Sequence, residues 1–96
     1  MDQIQSLSRF LSAVEDDPRI SVFHISIYVV LLKRWSEHGY ENPLSVFSYE
    51  VMRLAKISGI ATYHKSIKEL NEYGYIKYVP SFNHFLGSSI LILNLK

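Results

Sequence analysis

Between Ser58 and Ile76 the chain reads SGIATYHKSIKELNEYGYI, its densest run of side chains able to bond an anion or the edge of a base. Ile60, Tyr63, Ile67 and Leu70 recur at helical spacing, so residues of about 59–73 are expected to form a helix whose apolar stripe docks on a core. Ser58 is the expected N-cap and Gly74 the left-handed stop. That docking turns Ala61, Thr62, His64, Lys65, Lys68, Glu69 and Glu72 outward. Two ammonium groups, a hydroxyl and an imidazole on one helix face can hold phosphate oxygens and hydrogen-bond base edges. The competing reading is an ordinary solvated face, because Lys65 with Glu69 and Lys68 with Glu72 are i,i+4 pairs. Those carboxylates would also offset part of the lysines' attraction for phosphate.

Other chemistries find little support. None of the four histidines pairs with another at i,i+3 or i,i+4, and without cysteine there is no thiolate ligand or thiol nucleophile, so no metal is expected. His24, on an apolar helix, reads as a core or interface residue hydrogen-bonded to a neighbour. No nucleophile elbow, Walker loop or dinucleotide fingerprint is present. Enzymatic activity, a cofactor and a small-molecule substrate are therefore not expected.

At 96 residues the chain has room for one core. Its longest apolar-rich run, Ile20 to Leu32, covers 13 residues, short of the roughly 20 needed to span a bilayer. The N-terminus lacks the basic region and apolar run of a secretory signal, and absence of cysteine fits a reducing interior, so a cytoplasmic location away from membranes is expected. The net charge is +1, unevenly divided: residues 1–52 carry −3 and residues 53–96 carry +4. A basic C-terminal half is the modest footprint of a phosphate-binding surface.

The elements that must position the 59–73 helix follow from periodicity. Ile4, Leu7, Leu11 and Val14, with Phe10 beside them, give an amphipathic helix over residues 3–15. Asp17 as N-cap and Pro18 as first residue open a second helix that runs to about His38, stops at Gly39 and folds Tyr40 back over apolar surface. Ten of the thirteen residues from Ile20 to Leu32 are apolar, so this helix is apolar nearly all round. Such a helix needs cover on more than one side, from residues 3–15 or from a second copy in a homodimer. Leu44 to Phe47 reads as a brief strand, and Ser48 caps a short helix through Lys56. Beyond Gly74 the period changes to 2: Tyr75–Pro80 and Ser89–Leu95 form a hairpin with a long tip. Ile90 to Leu93, continuously apolar, are expected to be buried on both faces. Tyr73, Tyr75 and Tyr78 read as packing residues with hydroxyls at the surface, and Phe82 and Phe85 as packing for the tip rather than base-stacking groups.

The order helix, helix, short strand, helix, helix, hairpin resembles that of the winged helix-turn-helix family with an extra N-terminal helix. Leu70-Asn71-Glu72-Tyr73-Gly74-Tyr75-Ile76 resembles the Leu-x-x-x-Gly-hydrophobic-Ile ending of that family's recognition helix, where the glycine leads into the wing. Thr62-Tyr63 stands where the family often has Thr-Val. A looser likeness, in Ala61 to Leu70 and Tyr78-Val79-Pro80-Ser81-Phe82-Asn83, is to small winged-helix proteins of Bacteroidetes-type bacteria and their mobile elements. The resemblance covers residues 18–95. It implies an α+β winged-helix domain over 18–96 with residues 1–17 as a packing or dimerisation helix, duplex DNA as partner, and a role as bacterial transcriptional regulator or element-maintenance factor. Carried onto this sequence, it assigns DNA contact to Ser58, Ala61, Thr62, His64, Lys65 and Lys68 on the recognition helix and to Lys77, Asn83 and His84 on the wing (75–95). Arginines usual at the front of that helix are replaced here by Ala61, Thr62 and His64, and the tip lacks Arg or Lys, which points to phosphate-led binding. A winged-helix module that binds protein rather than DNA is the alternative.

Overall fold

The computed structural model describes residues 3–81 and 86–93, which form four helices and one antiparallel three-stranded sheet, a small α+β domain. In chain order these are α1 (Gln3–Glu15), α2 (Val22–Glu37), β1 (Leu44–Val46), α3 (Ser48–Ala55), α4 (Ile60–Glu72), β2 (Ile76–Val79) and β3 (Ser88–Ile92). The strand order is β1-β3-β2, with Leu44 opposite Ile90 and Ile76 opposite Ile92. Asn83, His84, Phe82 and Phe85, to which the sequence assigns wing-tip roles, lie outside the described residues, as does Leu95. Among the described residues no helix is long and apolar enough to cross a membrane.

One core joins all the helices to the sheet. Phe10 of α1, Ile27, Tyr28 and Leu31 of α2, Ile67 and Leu70 of α4 and Ile90 of β3 are almost completely buried. Each such side chain stabilises the fold by about 1.5–3 kcal/mol relative to exposure. Phe10 stacks on Tyr28 at 3.9 Å between centroids and meets the edge of Tyr75 at 5.5 Å. This aromatic contact corrects the expected face of α1: Ile4 is 80% exposed and Leu11 43%, while Ser6 and Phe10 point inward. A ring that can stack on another ring buries more surface than the aliphatic stripe offers, so the helix rolls toward Phe10.

Several helix starts also differ from the periodicity reading. α2 begins at Val22 after Ser21, not at Pro18. Asp17 spends its carboxylate on the Arg19 backbone N–H at 3.1 Å and on the Arg19 guanidinium at 2.8 and 2.9 Å, and a turn closes from Ile20 N–H to the Asp17 carbonyl. A carboxylate bonded two residues ahead favours a turn over a helix cap. α3 starts at Ser48 itself, since Glu50 and Val51 donate to the Phe47 carbonyl, and α4 starts after Gly59 rather than Ser58, with Tyr63 donating to the Gly59 carbonyl. The stops fall where the sequence puts them. Gly39 and Gly74 take positive φ, and Tyr40 returns its N–H to the Trp35 carbonyl while its ring meets Trp35 edge-on at 5.1 Å.

The sheet also corrects one expectation. Ile90 and Ile92 are buried, whereas Leu93 is 36% exposed and Leu91 only half-buried. β3 is central in hydrogen bonding, with strands on both sides, but side chains alternate across the pleat and only one face meets the helices. Two asparagines extend the pairing. The Asn42 amide donates to the Ile92 carbonyl at 3.2 Å while its oxygen accepts the Ile92 N–H at 3.1 Å, and Asn71 Oδ1 accepts the Tyr78 N–H at 2.8 Å on the outer edge of β2. Where the hairpin returns, Gly87 has φ +72, and a Cβ there would stand 2.7 Å from the Val46 carbonyl oxygen.

Candidate functional site

α4 is seated by Tyr63, Ile67 and Leu70, all buried, and by Ser66 on the same side. Ile60, counted with that stripe in the sequence, is half exposed, because the helix begins there and its first turn runs past the core. The opposite face carries Ala61, His64, Lys65, Lys68 and Glu72 in solvent, with Thr62 half-buried; Ser58 stands exposed just before the helix.

The two expected lysine–glutamate pairs are absent. Glu69 turns back toward α2, where one carboxylate oxygen lies 3.1 Å from His24 Nε2 and the other accepts the Tyr73 hydroxyl at 3.2 Å. His24 is 4% exposed, and its Nδ1 accepts the Ser21 N–H at 2.8 Å. That acceptor role puts the ring proton on Nε2, facing Glu69. Lys65 and Lys68 have no ion pair among the described residues, so neither ammonium is neutralised at contact distance.

The network continues behind the helix. Arg19 lies over the Tyr73 ring, 4.1 Å from its centroid, while gripping Asp17 through Nε and Nη2. The Tyr75 hydroxyl donates to Asp17 Oδ2 at 2.8 Å, an oxygen it shares with Arg19, so this hydroxyl is engaged internally rather than at the surface. The Arg19 hydrogen bond, then that from Tyr75, holds the Asp17 carboxyl well below the usual carboxylate range. Burial, reinforced by Asp17, pushes the Tyr75 phenol up to about 12. Burial also raises Tyr73, with its bond to Glu69 adding to the shift. These contacts tie the α1–α2 turn, α2, α4 and the start of the hairpin into one unit.

Two openings flank the exposed face of α4. His64 and Lys68 form one wall of a groove of about 590 Å³ whose other walls are Phe47, Tyr49 and Tyr78, with Ser88 at the hairpin return. Thr62 and Lys65 belong to a smaller cleft of about 360 Å³, shared with Arg19, Ser21, Ser66 and the His24–Glu69 pair. Lys77 joins neither: Ile76 and Tyr78 turn toward the helices, so the pleat sends Lys77 to the far face of the sheet. Sequence reading missed Arg19, Ser21 and Tyr49 as neighbours of α4. Arg19 and Ser21 lie more than forty positions upstream in a turn with no periodic signal, and only the tertiary fold brings them close.

Among the described residues no group of three His, Cys, Asp or Glu is placed to hold a metal ion. No family model, no curated protein and no solved structure matches the chain.

Proposed function

We propose that this chain is a winged-helix protein that binds duplex DNA, with α4 in the major groove and the β2–β3 hairpin beside it as the wing. The observation that carries the reading is the withdrawal of Glu69. With its carboxylate held by His24 and Tyr73, the front of α4 presents Lys65 and Lys68 without contact neutralisation, next to Thr62 and His64. Helix, turn, helix and hairpin follow in the order such a reader needs. The softness of the face, with no arginine on α4, favours phosphate contact over guanine readout, as a bacterial transcriptional regulator or element-maintenance factor would use with specificity from spacing or DNA shape.

Titration with mixed-sequence duplex at two salt concentrations tests this. Affinity should fall steeply with salt, and Lys65→Ala and Lys68→Ala should each weaken binding and reduce the slope of log K against log salt by about 0.9. Absence of binding at low salt would end the reading.

A second reading has its own support. Val22 is 73% exposed, Phe23 44% and Val29 41%, and a cleft of about 340 Å³ between α2 and α3 is lined by Val29, Val30 and Leu54 with Lys33, Arg34 and Glu37 at its rim. This apolar surface suits a protein partner. A second copy docked there would make a homodimer, whose two α4 helices would meet half-sites about 34 Å apart.

A further inference from the structure

The groove between α4 and the hairpin has a composition that duplex contact does not require. Its mouth carries Tyr49, 69% exposed, with the ring tilted 31° against Phe47 at 5.7 Å between centroids. His64 and Lys68 line the same groove, and no carboxylate lines it among the described residues. Its volume, about 590 Å³, lies within the range of small-molecule sites. A sugar-phosphate backbone alone would use Lys68 and leave the Tyr49 ring idle. An apolar peptide would use the rings and leave the ammonium of Lys68 buried without a counter-charge, at a cost. A planar ring joined to an anion satisfies both walls.

The geometry points to an unpaired nucleotide as occupant, its base stacked on Tyr49 and its phosphate on Lys68, with His64 and the Ser88 hydroxyl available for polar edges. Aromatic stacking accepts any base, so the site selects an unstacked nucleotide rather than a sequence. The nucleotide is either free or part of a single strand. The site shares His64 and Lys68 with the proposed duplex face and differs from it in the rings of Phe47 and Tyr49, while Lys65 lies in the other cleft.

Calorimetric titration of the full chain with adenosine monophosphate, with ribose 5-phosphate and with a single strand of about ten nucleotides tests the proposal. Binding of the strand should weaken about tenfold in Tyr49→Ala and stay within about twofold in Tyr49→Phe, since a ring is what stacking needs. Lys68→Ala should lower the salt slope by about 0.7. Binding of adenosine monophosphate without ribose phosphate assigns the site to a free nucleotide, and binding of the strand alone assigns it to a nucleotide within a chain. The proposal fails if neither binds, if ribose phosphate binds as well as the nucleotide, or if Tyr49→Ala binds the strand like the parent. Tyr49 is exposed, so its variants keep the fold, and their duplex affinity should not change.

Discussion

His24 Nε2 lies 3.1 Å from a carboxylate oxygen of Glu69, across 45 residues of sequence and between α2 and α4. This contact decides which way Glu69 faces, and so what charge the front of α4 shows. His24→Ala should orphan the Ser21 N–H and one Glu69 oxygen. The expected loss is about 1–3 kcal/mol in urea unfolding, with duplex affinity falling as Glu69 swings toward Lys65. Glu69→Gln, which keeps an acceptor for His24 while removing the charge, should bind duplex more tightly than the parent. Unchanged affinity in both variants would show that Glu69 has no influence on the face.

Asp17 sets the acid limb of stability. Its folded carboxyl is depressed by Arg19 and Tyr75, so it contributes stability that is present above the unfolded value near 3.8 and lost as pH falls through the lower folded value. Asp17→Asn should therefore melt at a lower temperature than the parent at pH 7, with the difference shrinking below about pH 4. Calorimetric melting at the two pH values checks the sign.

Tyr28 and Tyr63 set the alkaline limb. Burial pushes both phenols up to about 12, so the unfolded chain ionises first as pH rises past its ordinary value of 10. Stability should hold up to about pH 10 and decline from there toward pH 12. Loss of the helical circular dichroism signal should set in above about pH 10; a loss that begins well below pH 10 would contradict the assignment.

Gly87→Ala should be the costliest of the glycine replacements. A methyl group there combines a left-handed backbone with a 2.7 Å approach to the Val46 carbonyl, whereas Gly39 and Gly74 have positive φ and nothing within 4 Å. We expect about 1 kcal/mol for each of the latter and about 2–3 kcal/mol for Gly87. Equal costs would mean that β1 moves aside.

Self-association through α2 is checked by solution mass. Two chains per particle at micromolar concentration are expected for the parent and one for Val29→Glu, a change at an exposed site that leaves the core alone. A single-chain mass for the parent removes the dimer.

Much of the fold was legible because local patterns agreed with it. Gly39 and Gly74 mark their stops unaided, and Tyr63, Ile67 and Leu70 announce the buried side of α4 by spacing. Starts were less legible, since Asp17, Ser48 and Ser58 are all chemically able to cap and only tertiary packing decides which backbone N–H groups they meet. The pairing of Glu69 shows the same limit. Lys65 is its neighbour by spacing, but a buried imidazole with a proton to donate outcompetes an exposed ammonium that water already solvates. The face of α4 was readable; its charge was not.

Asn42 and Asn71 use the same side chain differently. Asn42 both gives and takes at Ile92, while Asn71 only accepts from Tyr78. Replacement by aspartate, which removes the donor and keeps the acceptor, would thus break one rung at β3 in Asn42→Asp and spare the edge of β2 in Asn71→Asp. Loss of the amide nitrogen is expected to register at position 42 and pass almost unnoticed at position 71.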